Sequence, residues 1–440
     1  MLFGKLIQKF LLLCLLISSA FASDEVKLLN GGREALKERL DLIEKAESKI
    51  YLSYFILEKD EVSLHVLEKL RLAAVRGVDV RILVDHMYNE VPKYMATYLV
   101  KSGIKFKVFN RGNLLQISRR MHDKIFLVDS SVAILGGRNI EDTYYDQSPV
   151  GAKKNYYDRD ILVQSSVAQE IENYYLDLWD KKHLKDVKIA KKIKTKKQQL
   201  HYAEAIKSLN EAGEKNILEG QEFKILDEIH EVQDGNIQFL HDLPQLVKDS
   251  TVGTSKELYS LIENAQESVH IDSPYFILTK ELEIVLRKAI QRGVKIRVLT
   301  NSLMATDGLL PQAAYLKERK KIAKLGVELY EFNGEYSFHA KSVVIDEKIA
   351  VVGSYNFDPR SQNLNTETAI VVRNEAVALS LLESMNESME VSYRIDENGE
   401  PVVIKGELPK VKFGKKLTVG LIRILLVPFI KGQLIVGEVE

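Results

Sequence analysis

The hydrophobic pattern of the chain predicts helices and strands in alternation. It indicates a helix around residues 34–47, a strand at 49–57, a second helix that ends at Arg76, and a strand from Val78 to Val84. Gly77 follows the second helix, where a helix end favours a residue that can adopt positive φ. Strands that alternate with helical segments predict an α/β fold.

The same pattern occurs twice, and short stretches of sequence recur with it. The residues from Leu42 to Ala46 read LIEKA, and those from Leu261 to Ala265 read LIENA. The sequence YFIL at 54–57 returns at 275–278. Self-similarity of this kind predicts an internal duplication, so we expect two tandem lobes of the same architecture.

A lysine-rich segment separates the two halves. Residues 181–199 contain nine lysines, and Asp186 is the only acidic residue among them. Such a run is typical of a solvated linker or helix face, and contact with an anionic membrane is the alternative. We therefore divide the chain into a first lobe at 23–180, a basic linker or insertion at 181–234, a second lobe at 235–395 and a tail at 396–440.

The N-terminus has the order of a secretory signal peptide at residues 1–22. Lys5 and Lys9 precede a short apolar run, and an A-x-A sequence follows it, so cleavage is expected after Ala22. The alternative is an uncleaved anchor. Cys14 is the only cysteine and lies inside this segment, so the mature chain would have neither a disulfide nor a catalytic thiol. We expect an exported protein.

The C-terminal tail combines basic and apolar residues. Four lysines between 410 and 416 lead into an apolar run from Leu417 to Ile430, which Arg423 and Pro428 interrupt. These interruptions disfavour a helix that spans a membrane. Two interpretations remain for so short a run: a segment that lies in a membrane interface, and a tail that packs on the core of the protein.

Two stretches contain the same polar and glycine residues in the same register, 217 positions apart (339 − 122 = 217). The first contains His122, Lys124, Asp129, Gly136 and Asn139, and the second contains His339, Lys341, Asp346, Gly353 and Asn356. A common register for five positions predicts two halves of one site rather than two unrelated histidines.

The residue types and their spacing suit phosphate chemistry. Each motif opens an apolar strand, in which residues i and i+2 face the same side, so the histidine and the lysine point together off one sheet edge. Imidazole can attack phosphorus or transfer a proton near neutral pH, and lysine binds phosphate. The glycine would let the backbone approach the phosphate, and the asparagine would add a neutral donor.

Both copies of the motif are needed for a complete reaction. One copy has a nucleophile but no acid for the leaving oxygen, so two copies that a pseudo-two-fold axis brings face to face would supply both. Neither a metal nor another cofactor is expected, because the lysine beside each histidine would repel a cation and the sequence has no H-E-x-x-H pattern.

These motifs resemble those of the phospholipase D superfamily, in which H-x-K-x4-D-x6-G-[GS]-x-N occurs twice. The resemblance covers most of the mature chain and implies two tandem α/β sandwich lobes with one shared active site. Within the superfamily the chain resembles the bacterial cardiolipin synthase C subgroup. The residues that carry this closer resemblance include 119–122, 273–276, 300–303, 305–307 and 358–361.

The resemblance implies a two-step transfer through a phosphohistidine. His122 would be the nucleophile, and His339 would protonate the departing alcohol and then deprotonate the acceptor. Four side chains would hold the phosphate oxygens in a preorganised donor set, and these are Lys124, Lys341, Asn139 and Asn356.

Members of the superfamily anchor the second nitrogen of each histidine with an acid further along the chain. Glu367 matches this acid in the second lobe. Asp158 is its counterpart in the first lobe, with Asp160 as the alternative. Asp129 and Asp346 would stabilise the turn of each motif rather than transfer protons.

The resemblance implies phosphatidyl transfer to a lipid alcohol, as in cardiolipin synthesis, with a phospholipid substrate at a membrane surface. Hydrolysis to phosphatidic acid is the alternative, because the motif does not read the acceptor. An exported nuclease would use the same chemistry, but 62 basic and 62 acidic residues give no field that favours nucleic acid. With the signal peptide, we expect a protein that is periplasmic or peripheral on a bacterial membrane, and we infer no obligate protein partner.

Overall fold

Each half of the chain folds around a nine-stranded β-sheet within the residues that the computed structural model describes, which are 24–110, 118–148, 154–219, 228–242, 253–402, 408 and 410–427. The predicted signal peptide at 1–22 lies outside the described residues. The end of the predicted apolar run, from residue 428 onward, lies outside them as well.

The first sheet and its helices lie between residues 24 and 232. The strands of this half are β1 (Asp24–Leu29), β2 (Lys49–Tyr54), β3 (Asp79–Asp85), β4 (Lys105–Phe109), β5 (Ile125–Val128), β6 (Val132–Gly136), β7 (Tyr156–Tyr157), β8 (Asp160–Gln164), β9 (Lys185–Asp186) and β10 (Ile229–Val232). The helices are α1 (Gly32–Lys45), α2 (Glu61–Val75), α3 (Lys93–Lys101), α4 (Val167–Trp179) and α5 (Lys196–Glu214). The sheet has the order β10-β1-β8-β6-β5-β2-β3-β4-β9, and β7 stands outside it.

The second sheet begins at residue 237. The strands of this half are β11 (Ile237–His241), β12 (Ser268–Asp272), β13 (Lys295–Asn301), β14 (Glu328–Phe332), β15 (Ser337–Phe338), β16 (Ser342–Ile345), β17 (Ile349–Gly353), β18 (Thr368–Arg373), β19 (Ser392–Ile395) and β20 (Pro401–Val402). The helices are α6 (Thr254–Asn264), α7 (Lys280–Gln291), α8 (Leu309–Lys324), α9 (Pro359–Asn363), α10 (Glu375–Glu390) and α11 (Phe413–Leu425). The sheet has the order β11-β18-β17-β16-β12-β13-β14-β19-β20, and β15 pairs with β7 of the first half.

The two sheets repeat each other strand for strand. The order β1-β8-β6-β5-β2-β3-β4-β9 in the first matches β11-β18-β17-β16-β12-β13-β14-β19 in the second. In both, the motif strand (β5 or β16) is antiparallel to its neighbour (β2 or β12), which is itself parallel to the next strand. The predicted duplication into two tandem α/β lobes is confirmed.

Local signals in the sequence fall where the structure uses them. Gly77 has a φ of 102° just after α2, and its counterpart Gly293 has a φ of 92° just after α7. Both therefore adopt the left-handed conformation that a helix end demands and that glycine accepts without strain. The predicted strand at 49–57 is shorter in the structure, where β2 ends at Tyr54.

The segment 181–234 differs from the predicted linker because much of it belongs to the first lobe. Helix α5 buries Leu209 in the first-lobe core, and the carbonyl of Ala212 lies 2.7 Å from Nδ1 of His65. Strand β10 pairs with β1 as the outermost strand of the first sheet. The lysine run hid this packing, because most of its charges lie on the solvent side whereas Leu184 and Ala190 between them are buried.

A hydrophobic core joins the two lobes. Each sheet buries one face against its own outer helices, α1, α2, α3 and α5 in the first lobe and α6, α7 and α8 in the second. The other faces share a single cluster that contains Leu127 and Val163 of the first sheet, Val344 and Ile370 of the second, and the apolar sides of α4 and α10. The lobes therefore pack through their sheets, which sets the two motif strands in one region.

The C-terminal helix α11 packs on the second lobe with one face. Val419 is buried beside Ala313 of α8, whereas Leu417 and Leu421 are exposed on α11. The core-packing interpretation of the tail thus holds for one side of the helix. Of the helices in the described part of the chain, not one combines the length and the apolar character needed to cross a membrane.

Candidate active site

The end of one sheet strand fixes the entry to each motif. Asp85, the last residue of β3, accepts hydrogen bonds from the backbone N–H of Met87 (2.9 Å) and of Met121 (3.2 Å), just before His122. In the second lobe Asn301 ends β13 and bonds the backbone N–H and carbonyl of Phe338, just before His339. Both histidines therefore leave the sheet at equivalent and well-anchored positions.

Each histidine is bound by a carboxylate of the opposite lobe. Nδ1 of His122 lies 2.8 Å from Oε2 of Glu367, and Nδ1 of His339 lies 2.6 Å from Oδ2 of Asp158. Because a carboxylate can only accept, Nδ1–H is the donor in each pair, and Nε2 is the ring nitrogen left to react. Sequence reasoning found one acid in each lobe, and the structure crosses them between the lobes.

Backbone hydrogen bonds cross between the lobes at the same places. The N–H of His122 donates to the carbonyl of Thr366 at 3.1 Å, and the N–H of His339 donates to that of Tyr157 at 2.8 Å. In both cases the accepting residue immediately precedes the carboxylate that binds the histidine. The two motifs thus form one site at the lobe interface.

The structure resolves the choice between the two acids of the first lobe. Asp160 lies within the lobe, 2.8 Å from a guanidinium nitrogen of Arg39 and 3.4 Å from one of Arg138. Asp158 faces the interface and holds His339. Although both residues are fully buried, only the side chain of Asp158 is directed at the site.

The motif glycines pack closely against the neighbouring chain segments that carry the two acids. A Cβ atom on Gly136 would collide with Asp160 and with the carbonyl of Arg159, and one on Gly137 would collide with Asp158. A Cβ on Gly353 would collide with the carbonyl of Thr368. These glycines therefore leave room for the chain segments that carry the acids Asp158 and Glu367. A larger residue at these positions would displace the acids and, through them, the histidines that they bind.

Asp129 and Asp346 stabilise turns, as predicted. The carboxylate of Asp129 accepts the backbone N–H groups of Glu47, Ser48 and Lys49 at 2.8 to 2.9 Å, which closes the turn between α1 and β2. Burial by itself would raise the pKa of Asp129, but these N–H groups outweigh it and hold the pKa below its usual value. Asp346 does the same between α6 and β12, with three N–H groups at 2.7 to 2.9 Å.

The two motif lysines are buried beside the histidines. Nζ of Lys124 donates to the carbonyl of His122 at 2.7 Å. Nζ of Lys341 donates to the carbonyl of His339 and lies 2.8 Å from Nδ1 and 3.4 Å from Nε2 of the same ring. Burial lowers the pKa of Lys124 to about 7, and burial also lowers the pKa of Lys341. An anion bound beside them would raise the pKa of both lysines, because opposite charge favours the protonated form.

Burial lowers the pKa of both imidazoles. Burial, followed by the charge of Lys124, lowers the pKa of His122 well below its ordinary value. The pKa of His339 is also lowered, by burial and by Lys341, while Asp158 acts in the opposite direction. A neutral imidazole has the free electron pair that nucleophilic attack requires.

The two motif asparagines have different surroundings. The side chain of Asn139 accepts a hydrogen bond from the N–H of Ile56 at 3.1 Å and donates to the hydroxyl of Tyr144 at 2.9 Å. Asn356 lines the cavity described below, and its buried Oδ1 has no hydrogen-bond partner among the described residues. The second asparagine is thus the better placed of the two to meet a ligand.

A cavity of about 390 Å³ opens at the site on the side of His122. Its polar lining includes His122 and Asn356, with the two guanidinium groups of Arg120 and Arg360. Ser118, Tyr275, Asp358 and Asn365 are further polar members of the lining. The apolar part of the lining comes from Phe55, Met87, Tyr88, Ile277, Leu310, Pro311, Ala314, Pro359 and Val427. The ring of His339 instead packs between Tyr144 and Tyr156, at centroid distances of 5.3 and 5.2 Å.

Sequence reasoning missed an ion pair that crosses the interface. Arg159 is fully buried, and its guanidinium lies 2.6 Å from Asp272 of the second lobe. Burial, partly offset by Arg159, raises the pKa of Asp272 to about 6. The position of Arg159 between Asp158 and Asp160 gave a hint, but its partner lies outside the repeated motif. Among the described residues, no group of three or more His, Cys, Asp and Glu side chains could hold a metal ion.

Comparison with known proteins agrees with this geometry. A family model described as cardiolipin synthase, phospholipase D-like domain, matches residues 40–179 and 258–389, one match in each lobe. The chain belongs to this family. It is a phospholipase D-type phosphatidyltransferase that acts on phospholipid.

Relatives within this family match most of the chain. An uncharacterised protein of Helicobacter pylori strain J99 is 29% identical over 407 residues, which cover 84% of this chain and 80% of the relative. Cardiolipin synthase C of Escherichia coli K12 is 27% identical over 456 residues, with 91% and 95% covered. A cardiolipin synthase of Clostridium perfringens strain 13 is 26% identical over 391 residues, with 84% and 72% covered.

Solved structures share the two-lobed fold. A phosphatidylserine synthase of Haemophilus influenzae superposes with a TM-score of 0.68 at 16% identity, over 92% of this chain and 94% of that one. At this identity the likeness demonstrates the fold alone, and it agrees with the two tandem lobes described above.

Proposed function

We propose that the protein forms cardiolipin or a similar phospholipid by transphosphatidylation, through a phosphohistidine on His122. One observation carries the proposal, namely that two histidines, each bound to a carboxylate of the opposite lobe, share a site that opens into a cavity. That arrangement supplies a nucleophile and a separate proton donor, which a two-step transfer needs.

In the first step Nε2 of His122 attacks the phosphorus of the donor phospholipid. A P–N bond forms, the P–O bond to the head-group alcohol breaks, and the electron pair of that bond stays on the departing oxygen. His339 enters this step protonated on both ring nitrogens, a form that the Asp158 carboxylate at its Nδ1–H and the anionic substrate favour. Its Nε2–H gives the departing oxygen a proton, so a neutral alcohol leaves. The phosphorylated ring of His122 carries a positive charge, which the Glu367 carboxylate at its Nδ1–H balances.

In the second step His339, now neutral, removes the proton from the hydroxyl of the acceptor. The acceptor oxygen attacks phosphorus, the P–N bond breaks, and its electron pair returns to Nε2 of His122. With a lipid alcohol as acceptor the product is a new phospholipid, and with water it is phosphatidic acid. The charge on the phosphate oxygens is balanced by Lys124 and Lys341, and the amide of Asn356 adds a neutral donor.

The lining of the cavity supports a lipid substrate. Phe55, Ile277 and Leu310 offer apolar surface to the glycerol and upper acyl chains of a phospholipid, while Arg120 and Arg360 can meet anionic oxygens. A nucleic acid would instead favour an open basic surface with few aliphatic walls. The names of the Escherichia coli and Clostridium perfringens relatives, both cardiolipin synthases, point to a lipid alcohol as acceptor.

Product analysis tests the acceptor. Purified protein is incubated with isotope-labelled phosphatidylglycerol, with and without phosphatidylethanolamine, and the lipids are identified by mass spectrometry. We expect cardiolipin. Phosphatidic acid as the main product would identify a hydrolase, and an unchanged lipid mixture would contradict both forms of the proposal.

A substrate with a good leaving group tests the two histidine roles. Phosphatidyl-p-nitrophenol loses p-nitrophenolate without a proton, so the His339→Ala variant should still release about one equivalent of nitrophenol per protein and then stop, because no base activates the acceptor. The His122→Ala variant should release none. An equal burst from both variants would exclude His122 as the nucleophile.

We also propose that the protein is exported and acts in the periplasm or on the periphery of a bacterial membrane. The support is the order of basic, apolar and small residues at 1–22. Mass spectrometry of the protein recovered from the native host should find an N-terminus at Ser23. An N-terminus at Met1 would favour the uncleaved anchor.

A further inference from the structure

The C-terminal helix α11 carries large apolar side chains on its solvent side. Phe413 is 79% exposed, Leu417 is 53% exposed and Ile424 is 67% exposed. With about 100° of rotation per residue, these three and Leu421 fall within about 80° of one another around the helix axis. Val419 faces the opposite way and is buried on α8, so the helix is apolar on its packed face and on its free face.

The charge of this segment has one sign. Residues 408–427 contain five basic residues and no acidic residue. Lys412, Lys416 and Arg423 are exposed and, by the same helical rotation, follow one edge between the two apolar faces. Lys415 turns back instead and donates to the carbonyl of Thr306 at 3.0 Å, which fixes the start of the helix on the second lobe.

Helix α11 also borders the active-site cavity. Val427, which follows the helix, is part of the cavity wall, as are Leu310 and Ala314 of α8. Helix α8 is the element on which α11 packs. A surface that held the free face of α11 would therefore lie beside the cavity in which His122 is found.

We propose that α11 is a membrane-docking helix that lies in the surface of an anionic phospholipid bilayer and holds the active-site cavity beside that surface. A bilayer suits an apolar face next to a purely basic edge, since acyl chains accept the first and anionic head groups the second. A protein partner would be expected to meet a rim with charges of both signs. The docking itself goes beyond the proposed reaction, whereas the delivery of lipid to the cavity rests on the proposed function.

Binding is tested without turnover, in full-length protein that carries His122→Ala. Vesicles of phosphatidylglycerol and phosphatidylcholine in equal parts are floated with the protein. We expect the added pair Leu417→Asp and Ile424→Asp to weaken binding about tenfold or more, because two exposed apolar side chains would no longer enter the bilayer.

The matched control is Leu200→Asp on α5, at a leucine that is 58% exposed and lies next to the lysine-rich segment. It should bind vesicles like its parent. Vesicle binding that survives the α11 pair, or that is lost in the Leu200 control alone, overturns the proposal. Both variants must first show the same unfolding temperature as the parent protein, which is expected because none of the three substituted positions is buried.

Two further measurements distinguish an anionic bilayer from a second copy of the chain as the partner of the free face of α11. Lys412→Glu with Lys416→Glu should weaken binding to the mixed vesicles and leave binding to pure phosphatidylcholine unchanged. A second copy of the chain is the rival occupant. A dimer in sedimentation velocity that the α11 pair dissociates, with vesicle binding intact, would overturn membrane docking.

The delivery of lipid is tested in protein with His122 intact. The α11 pair should lower transfer from vesicle phospholipid and leave transfer from a short-chain phospholipid, dissolved as monomers, unchanged. An equal loss with both substrates overturns the delivery role. If the parent transfers no phosphatidyl group but its vesicle binding still requires α11, docking stands and the proposed function fails.

Discussion

Glu367 contributes charge as well as position to the site. Its carboxylate holds Nδ1–H of His122 at 2.8 Å and would balance the positive ring of the phosphohistidine. An amide at this position keeps the shape of the side chain but loses the charge. We expect Glu367→Gln to lower kcat by about 10² to 10⁴-fold, as judged from the usual weight of a group that orients and stabilises a catalytic imidazole.

The measurement is the initial rate of phosphatidyl transfer at saturating substrate. Glu172→Gln is a matched control, because Glu172 is equally buried but pairs with Lys49 on the first lobe, away from the histidines. A Glu367→Gln variant with the parent rate would exclude a role for the crossed carboxylate.

Lys124 should make the protein less stable at neutral pH than at alkaline pH. Burial lowers its pKa to about 7 from the ordinary 10.5. Between these values the unfolded chain holds a proton that the folded chain has lost, so the contribution of this group to stability rises with pH. We expect Lys124→Met to be more stable than the parent by about 1–3 kcal/mol at pH 7, although inactive.

Urea unfolding at pH 7 and pH 9.5 provides the test. The advantage of Lys124→Met should shrink at the higher pH, whereas the exposed Lys288→Met, as a control, should give the same small difference at both. An advantage that stays constant or grows with pH would mean that burial does not lower the pKa of Lys124 in the folded protein.

At the residue scale the sequence predicted the two histidines and one anchoring acid in each lobe, but not which acid binds which histidine. The common spacing of the two motifs indicated that His122 and His339 share one site, and the family resemblance supplied the acids Glu367 and Asp158. The pairing could not be predicted, because each contact joins residues from different halves of the chain. Asp158 and Asp160 differ in role because their side chains point in different directions. The side chain of Asp158 reaches His339 across the lobe interface, whereas that of Asp160 stays within the first lobe, beside Arg39.

At the scale of elements, Asp129 joins the start of β2 to the end of the motif strand. Three backbone N–H groups converge on its carboxylate. We expect Asp129→Ala to lower the free energy of unfolding by about 1.5–3 kcal/mol, the usual range for hydrogen bonds to a charged group, with a much smaller effect on kcat than a histidine substitution.

Urea unfolding at pH 7 measures this loss, and Asp41→Ala, which removes an exposed i,i+4 pair with Lys37, serves as the control with an expected effect below about 0.5 kcal/mol. The pKa of Asp129 is lowered in the folded state. Its contribution is therefore complete above the ordinary pKa of an aspartate and disappears as the pH falls through the lowered value. A destabilisation that is unchanged at pH 2.5 would contradict this origin.

Element boundaries were predictable where local chemistry sets them. Gly77 marked the end of α2 because its positive φ is a local demand. The need for glycine at 136 and 137 was not predictable from the sequence. The atoms that a Cβ would meet there belong to residues 158–160, more than twenty positions further along the chain. The same holds for 181–234, where tertiary pairing of β10 with β1 decides that the segment belongs to the first lobe.

At the scale of the whole molecule, the duplication forms a single folding unit. The cluster between the sheets contains residues of both halves, and both acids cross it to reach the opposite histidine. Arg159 and Asp272 add a buried ion pair to this interface. Removal of one partner from such a pair leaves an uncompensated charge in a dry environment, which usually costs about 3–5 kcal/mol.

We therefore expect Arg159→Met to lower the free energy of unfolding by about 3–5 kcal/mol at pH 7.5, and by clearly less at pH 5. The loss is smaller at pH 5 because of Asp272. Burial already raises the pKa of Asp272 to about 6 in the presence of Arg159. Without the guanidinium that pKa would rise further, so the folded protein would take up a proton below it and neutralise the stranded charge.

The double variant Arg159→Met with Asp272→Leu separates charge from packing. Both charges are gone in this variant, so its destabilisation should be smaller than that of Arg159→Met alone, and it should not depend on pH between 5 and 7.5. A double variant as unstable as the sum of both single changes would mean that shape rather than charge holds the lobes together here. Because Arg159 directly follows Asp158, a change of shape at Arg159 would then shift the backbone of Asp158 and, with it, the position of His339 in the active site.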